Sequence, residues 1–392
     1  MSSKMKRRDL LASAAVATFL AACGGGGDAG GEAAAGASTS AGTGDALLKA
    51  GVLSRDATAL RIADYVLSLQ LPGGAILDSK GDTMVNEDSN MEYALIGLAA
   101  AYSRSRDAKY LEGLRKGVEW LGANMTMGDP FWAGSFPLYF TAPGLAGNYG
   151  TRGVDATSSL FVYCVYLHQR LSGTTTLRDK YESQIRSALS FLDAHNTSRD
   201  GFSLSSWVNG TRYAYEYAAD QVDVYLGWEA ARIMFPGEAH YADRAAFYRS
   251  NIQKTFFLAD KGRYSIGRDE GSALETIFDG FDGIFPNGYL PWALGPSDLN
   301  AKSLSWLESR TQADGSMQIG KQTRCYALTA AIYLCGCVGT GRSPQQPPID
   351  WLCNVMFDPR TGGVNDSTTD NTKYSNVAGF AVVGLLGFTA FA

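Results

Sequence analysis

The chain has few histidines and few charged side chains. Its 392 residues include three histidines, His168, His195 and His240, and each lies in the context of a predicted outer helix or a short turn. This scarcity argues against a catalytic triad built on histidine and against a metal centre with several histidine ligands. Charged residues make up 19% and hydrophobic residues 45% of the sequence, which is typical of a globular chain and not of a disordered one.

Basic runs are also missing from the sequence. The formal net charge is −5, and residues 1–22 carry four basic side chains and one acidic side chain, so the rest of the chain has a formal charge of about −8. An acidic chain without clusters of lysine and arginine argues against a nucleic acid partner.

The cysteines do not form the spacings of a zinc site or a disulfide framework. Beyond Cys23 there are five of them, an odd number without a CxxC pair. A bond from Cys335 or Cys337 to Cys353 stays open, although buried free thiols on apolar helices are the favoured interpretation. We therefore expect no cofactor. Calcium held by loop carboxylates stays open as an alternative.

Residues 1–22 have the features of an export signal. A basic start is followed by an apolar run from Leu10 to Ala22, which is too short for a permanent membrane span. The Arg7–Arg8 pair resembles the twin-arginine signal, which exports folded proteins. The segment that ends at Cys23 resembles the lipobox of bacterial lipoproteins, in which the cysteine is lipidated. The alternative is an ordinary signal peptide with an incidental cysteine.

The segment from Cys23 to residue 45 predicts a flexible tether. It consists mainly of glycine, alanine, serine and threonine, and such residues bury too little surface to offset the entropy of ordering. Gly24 after the cysteine suggests the outer membrane or cell surface by analogy with lipoprotein sorting. We expect residues 46–392 to form a single catalytic domain and the protein to be a monomer in the cell envelope.

Helical periodicity runs through the whole of this domain. The pattern predicts twelve helices, near 57–70, 90–105, 108–124, 154–172, 177–195, 215–234, 239–256, 284–294, 296–309, 322–338, 345–356 and 374–391. The connections between them alternate between long and short, which predicts helical hairpins with every long loop on one face.

The long loops resemble one another. Five of them contain a glycine beside a short extended stretch, namely Gly74, Gly201, Gly262, Gly315 and Gly362. The repetition indicates a repeat architecture in which the glycine turns the chain and short β segments follow.

Helices that follow long loops are apolar nearly all round, whereas the intervening helices are amphipathic. Helices of the first kind are buried and helices of the second kind lie outside. The sequence therefore predicts an all-α fold, an (α/α)6 toroid with long loops and short β segments on one face. In architecture and in the alternation of long and short loops, residues 55–392 resemble the six-hairpin glycosidase superfamily, whose members include glycoside hydrolases and polysaccharide lyases. A second toroid family, the terpene cyclases and prenyltransferases, has the same helix count.

One predicted helix, 215–234, carries three acids at its start. Glu216, Asp220 and Asp223 have the spacing i, i+4 and i+7, which places them on one stripe of a helix that is otherwise apolar. Buried carboxylates usually have a partner or a task, so we expect this stripe to face the cavity. Glycoside hydrolysis needs two carboxyl groups, and we expect Asp220, Asp223, Glu216, Asp88 and Asp279 to supply them.

Other polar residues near the expected mouth of the barrel are candidates for substrate binding. They are Glu92, Asp155, Asp282 and Gln318. An alternative for Asp88, Asp155 and Glu216 is helix capping, or a favourable interaction with a helix dipole in the first turn. Asp279 and Asp282 equally fit Asp-Gly turns.

Aromatic side chains in or beside the long loops indicate a carbohydrate cleft, because exposed aromatic faces stack on sugar rings. The candidates are Trp132, Trp207, Tyr215 and Trp292. The alternative for each one is that it packs the loop layer onto the barrel.

These features favour a glycan-degrading enzyme, an inverting glycoside hydrolase that acts on an oligosaccharide or polysaccharide. A polysaccharide lyase is the second interpretation, with Tyr213, Tyr215, Arg212 and Arg324 as its candidate groups, although a lyase often uses a histidine base. A lipoprotein that binds glycans without catalysis is the third. A terpene cyclase fits least, because no aspartate-rich cyclase motif is present.

Overall fold

The computed structural model describes residues 53–141, 146–276, 284–318 and 324–391. The expected signal peptide, Cys23, the tether, Asp279 and Asp282 lie outside these residues. The fold described below is that of the compact unit Ser54–Ala392.

Thirteen helices lie in the described part of the chain. They are α1 (Arg55–Leu69), α2 (Asn90–Ser105), α3 (Ala108–Asn124), α4 (Asp155–Ser172), α5 (Thr176–Lys180), α6 (Glu182–Phe191), α7 (Ala218–Met234), α8 (Ala239–Phe256), α9 (Phe285–Leu294), α10 (Asp298–Glu308), α11 (Ala327–Thr340), α12 (Gln346–Trp351) and α13 (Ser375–Leu386). The outer helices α6 and α12 each continue into a π turn, Leu192–Asn196 and Leu352–Met356. The last helix ends earlier than expected, because Gly387 adopts a left-handed conformation.

Six helices form a closed inner ring. Helices α2, α4, α7, α9, α11 and α13 pack in this order, and α13 packs in turn against α2. Most of their residues are buried, whereas the remaining helices form an outer layer. The predicted (α/α)6 toroid and its division into inner and outer helices are therefore confirmed.

Glycines bring the inner helices into close contact. A Cβ atom added at Gly97 of α2 would lie 2.7 Å from the Cα of Gly379 on α13, and one added at Gly288 of α9 would lie 2.3 Å from the carbonyl oxygen of Ile332 on α11. Any larger side chain at these positions would force the helices apart. The ring thus depends on small residues at its seams.

The repeated loop unit is also confirmed. In five long loops the chain turns back on itself through a short antiparallel pairing, at Gln70–Ile76, Thr197–Ser203, Phe257–Tyr264, Thr311–Met317 and Phe357–Val364. Each turn contains a glycine with positive φ. Four of these glycines pack against the next outer helix around the ring, and the last of them, Gly362, reaches Arg61 of α1.

Nine short strands lie on the loop face within the described residues. They are β1 (Met84–Asn86), β2 (Pro137–Thr141), β3 (Ala146–Arg152), β4 (Ser206–Val208), β5 (Thr211–Tyr213), β6 (Tyr215–Tyr217), β7 (Phe257–Leu258), β8 (Arg263–Tyr264) and β9 (Gly267–Asp269). Strands β1 to β5 form one antiparallel sheet in chain order, β6 pairs with β9, and β7 pairs with β8. Among the described helices, none has both the length and the hydrophobicity needed to cross a bilayer.

Candidate active site

The N-terminal ends of three consecutive inner helices carry a layer of buried acids. Glu92 is in the first turn of α2, Asp155 begins α4, and Asp223 lies in the second turn of α7. Glu87, which sequence reasoning did not select, joins them from the segment between β1 and α2. All four side chains have no exposed surface.

Asp223 is held by two tyrosines from neighbouring inner helices. The Tyr93 hydroxyl of α2 donates to its Oδ2 at 2.8 Å, and the Tyr289 hydroxyl of α9 donates to its Oδ1 at 2.6 Å. Burial raises the pKa of Asp223 well above its usual range, and the nearby charges of Asp155 and Glu92 raise it further. Burial and the two neighbouring acids therefore disfavour a negative charge on this carboxyl group.

Glu87 and Glu92 form a pair of buried carboxyl groups. None of their four oxygens accepts a hydrogen bond from a permanent donor among the described residues. Burial raises the pKa of both groups, that of Glu87 to about 8, and the charge of Glu87 raises the pKa of Glu92 further. A buried pair of acids is less costly when it does not carry two charges.

The two carboxyl oxygens of Asp155 differ in their surroundings. Its Oδ1 accepts from the backbone N–H of Ala156 at 2.9 Å, as expected for an acid in the first turn of a helix. Its Oδ2 is buried and has no donor in the described part of the chain. Burial raises the pKa of Asp155, and the charge of Asp88 raises it further.

Asp88 and Asp220 lie above this buried layer and keep part of their surface exposed. The charge of Asp88 acts on Glu92 and Asp155, whereas the charge of Asp220 acts on Tyr93. Both residues have contacts with other parts of the molecule. The structure therefore brings Asp88, Glu92, Asp155, Asp220 and Asp223 together at one side of the mouth.

Glu216 does not belong to the acidic stripe that the sequence predicts. Residues Tyr215–Tyr217 form strand β6, and α7 begins only at Ala218, because the backbone of this segment pairs with β9. The Glu216 side chain is buried and pairs with Arg268, whose Nε lies 2.6 Å from Oε2. The expected three-acid stripe on one helix is wrong, and an ion pair accounts for the burial of Glu216.

The loop tryptophans pack against each other. The rings of Trp132 and Trp207 meet edge to face with centroids 5.6 Å apart, and the Arg152 guanidinium lies 4.2 Å from the centre of the Trp132 ring. Trp207 also donates to Asn196 at 2.9 Å. Both rings keep some exposed surface, so they form an aromatic cluster at the edge of the loop layer.

The remaining candidates lie in different places. Tyr215 is nearly buried, with its ring stacked on Tyr213 and in tilted contact with Tyr217. The backbone of Gln318 pairs with that of Cys325 in the loop before α11. Trp292 lies near the C-terminal end of α9, where its indole N–H donates to the carbonyl of Phe388 at 2.8 Å. The expectation that Trp292 borders the mouth is therefore wrong, because α9 carries it towards the short-turn end of the barrel.

Sequence reasoning also missed Asp366, in the loop before α13. Its side chain is 1% exposed, neither of its oxygens has a hydrogen-bond partner among the residues that the structure describes, and burial raises its pKa to about 8. The flanking sequence contains other acids, and only the folded loop shows which of them is buried. Among the described residues, no group of three histidine, cysteine or acidic side chains could hold a metal ion.

No protein-family model matches the sequence, and no curated protein matches it either. Solved structures do share the fold. A glycosidase superposes with a TM-score of 0.58 at 15% identity, covering 86% of this chain and 99% of its own, and a variant of a glycosidase has been solved in complex with glucose. A D-mannose isomerase gives a TM-score of 0.64 at 14% identity, covering 85% of this chain and 98% of its own.

A cellobiose 2-epimerase from Bacillus thermoamylovorans B4167 gives a TM-score of 0.63 at 10% identity, covering 82% of this chain and 95% of its own. These matches span nearly the whole of each solved chain, so the likeness concerns the complete barrel. Together with the closed ring of six inner helices, they show that this chain has the (α/α)6 toroid fold.

Proposed function

We propose that the protein is a carbohydrate-active enzyme, and more specifically an inverting glycoside hydrolase in which Asp88 and Asp220 are the two working carboxyl groups. One observation carries this proposal: these two acids are partly exposed at the mouth, directly above a buried layer of acids. The glycosidases and sugar-converting enzymes that share the fold support a sugar substrate.

The two acids come from different places in the ring. Asp88 precedes α2 and Asp220 belongs to α7, and one inner helix, α4, lies between these two. An inverting enzyme needs its two carboxyl groups roughly 6.5–9.5 Å apart, which leaves room for water, and the proposal assigns this separation to Asp88 and Asp220.

The experiment is a screen of the purified protein against a panel of oligosaccharides and polysaccharides. We expect new reducing ends without the ultraviolet absorbance of an unsaturated uronate. Asp220→Asn and Asp88→Asn should each lower kcat by roughly a hundredfold or more while the fold is kept. Asp298→Asn is the matched control, because Asp298 is also an acid in the first turn of a helix but belongs to the outer helix α10. Full activity in both site variants would refute the assignment.

A second candidate is a sugar isomerase or epimerase, which the match to the D-mannose isomerase and the cellobiose 2-epimerase favours. Such a reaction moves a proton beside a carbonyl and creates no new reducing end. Incubation of reducing sugars in heavy water separates the two: deuterium incorporation without hydrolysis would support the isomerase. A lyase is less favoured, because a uronate needs a neutralising cation and the groups described at this side of the mouth are acids.

We also propose that the protein is exported, lipidated at Cys23 and held at the cell envelope as a monomer. The support is the basic start, the apolar run and the lipobox-like segment of residues 1–23. Metabolic labelling with a radioactive fatty acid should mark the wild-type protein, and Cys23→Ser should abolish the label and release the protein from the membrane fraction. Label retained in the variant would refute lipidation at this cysteine.

A further inference from the structure

Four rings form a cluster at the outer rim of the loop face. The Phe131 ring lies 4.0 Å from the His195 ring between centroids, and it meets the rings of Trp132 and Trp207 at 4.6 and 5.2 Å. We call these four residues the rim cluster. His195 belongs to the π turn that follows the outer helix α6, and Trp132 also contacts Phe191 at the end of α6. The rim cluster therefore lies over the end of an outer helix, whereas the buried acids lie at the starts of inner helices.

The rim cluster is accessible although its rings pack together. Phe131 is 37% exposed, and the other three rings keep part of their surface exposed. Phe131 and Met127, both in the loop between α3 and β2, are two of the four large hydrophobic side chains that are exposed in the part of the chain that the structure describes. Apolar side chains that are exposed together mark a binding surface more often than single ones do.

Hydrogen bonds hold the rings of the rim cluster in place. The backbone N–H groups of Phe131 and Trp132 both donate to the Asp129 Oδ1, at 2.8 and 3.0 Å. The indole N–H of Trp207 donates to the Asn196 Oδ1 at 2.9 Å. Side chains that are fixed before a ligand arrives lose little conformational entropy when it binds.

The main chain connects the rim cluster with the wall of the mouth. The backbone N–H of Asp155, which begins the inner helix α4, donates to the carbonyl of Ser205 at 3.0 Å. Trp207 follows Ser205 by two residues, and two residues of chain span at most about 7 Å. Trp207 also pairs with Arg152 where β4 meets β3. Strands β3 and β4 therefore separate the Asp155 side of the mouth from the rim cluster.

The chemistry of the rim cluster suits a neutral sugar. Aromatic rings contact the apolar faces of sugar rings. Burial lowers the pKa of His195 below its usual range, which favours the neutral imidazole at pH 7. A neutral imidazole offers one donor and one acceptor nitrogen, and sugar hydroxyls both accept and donate.

We propose that the rim cluster is an outer binding site for a polymeric glycan whose reacting unit lies in the mouth. This inference rests on the proposed function, and it names the substrate class as a neutral polysaccharide. A chain that leaves the mouth on the Asp155 side crosses β3 and β4 and places a distant sugar unit on Phe131. A short oligosaccharide held in the mouth does not extend that far, so the rim cluster contributes nothing to its binding.

The test compares Phe131→Ala with Val355→Ala in the full-length protein. Val355 is the matched control, because it is 57% exposed and lies in the π turn after α12, the counterpart of the π turn that carries His195. Electrophoresis in native gels that contain hydroxyethyl cellulose, xylan, galactomannan or pullulan measures binding without turnover. Initial rates give kcat/KM for the polysaccharide that is degraded and for the shortest oligosaccharide of the same linkage that is cleaved.

We expect Phe131→Ala to weaken polysaccharide binding and to lower kcat/KM for the polysaccharide roughly three- to tenfold, because one stacking ring is lost. Its kcat/KM for the short oligosaccharide should equal that of the wild type. Val355→Ala should match the wild type on both substrates and in the gels. Thermal unfolding of the two variants checks that each keeps the fold.

The outcomes separate this inference from the proposed function. Gel retardation that is weakened in Phe131→Ala alone supports the outer site, and without any hydrolysis it does so while the hydrolase fails. Hydrolysis with equal kcat/KM values in the wild type and both variants overturns the outer site and leaves the hydrolase intact, as does cleavage of short oligosaccharides alone. A wild-type protein that is retarded in none of the gels and hydrolyses no glycan overturns both.

Discussion

At the scale of single residues, the barrel buries carboxyl groups that make no ion pair within the part of the chain that the structure describes. Asp366 is the clearest case, because burial raises its pKa from about 4 in an exposed chain to about 8 in the folded protein. The folded state holds a proton that the unfolded state releases between these two values. Asp366 therefore stabilises the fold fully below about pH 4, and this contribution is lost as the pH rises towards 8.

We expect Asp366→Asn to flatten the pH dependence of stability. Between pH 5 and 8 the free energy of unfolding should fall less steeply in the variant, by about 1.4 kcal/mol per pH unit for the one proton removed. Urea denaturation at several pH values measures this slope. Asp243→Asn, at an exposed position on α8, should keep the wild-type slope. An unchanged slope in Asp366→Asn would contradict the burial of an uncompensated carboxyl group.

The sequence predicts the acids of the mouth better than their roles. Asp88, Glu92, Asp155, Asp220 and Asp223 do come together, because each lies at the start of an inner helix and the ring gathers these ends. The assignment of Glu216 failed because a strand pairing with β9, distant in sequence, overrides the helical pattern. Glu87 and Asp366 could not be selected, because only tertiary packing shows which loop acids are buried.

At the scale of elements, four of the five loop glycines pack against the next outer helix around the ring. Gly315 has φ of +89°, and a Cβ atom there would lie 2.2 Å from the carbonyl oxygen of Pro347 on α12. Gly262 has φ of +63°, but a Cβ atom there would meet nothing within 4 Å. The turn at Gly315 is therefore packed against a helix, whereas the turn at Gly262 has free space around its glycine.

This contrast predicts different costs for the same substitution. Gly262→Ala carries only the strain of a left-handed alanine, about 1 kcal/mol. Gly315→Ala adds a steric clash with backbone and should lower the free energy of unfolding by about 3 kcal/mol. Urea denaturation of the two variants under identical conditions measures the difference. Equal stability of the two variants would contradict packing of this turn against α12.

Helix positions follow from the sequence with little error, because apolar periodicity and capping residues are local signals. Helices α2, α3 and α8 begin and end where the pattern predicts. The last helix is shorter than predicted because the apolar run continues past Gly387 into a tail that packs against other residues. The glycine contacts between the inner helices cannot be predicted from the sequence, because they depend on which helices become neighbours in the fold.

At the scale of the whole molecule, the C-terminal tail contacts the short-turn end of the barrel, opposite the acids. The Tyr163 hydroxyl of α4 donates to the carbonyl of Ala390 at 2.8 Å, and Trp292 of α9 donates to that of Phe388. The tail thus ties together two inner helices that do not adjoin in the ring.

Deletion of residues 388–392 should therefore destabilise the barrel. The deletion leaves the Trp292 indole N–H and the Tyr163 hydroxyl without these acceptors, which costs about 1–3 kcal/mol for each buried group. Thermal unfolding followed by circular dichroism measures the loss. The double substitution of Phe388 and Phe391 by alanine is the control. It removes the two rings but keeps the backbone carbonyl groups, so it measures the contribution of the ring contacts apart from that of the hydrogen bonds. A deletion variant as stable as the wild type would contradict a structural role of the tail.

The proposed function requires an acidic mouth that hydrolyses a glycosidic bond with water between the base and the sugar. The most direct measurement is proton NMR of the anomeric signals during the first minutes of hydrolysis of the best substrate in the panel, before mutarotation. We expect the first product to have the anomeric configuration opposite to that of the substrate. A first product with the configuration retained would contradict it, because retention requires one of the carboxyl groups to bond to the sugar.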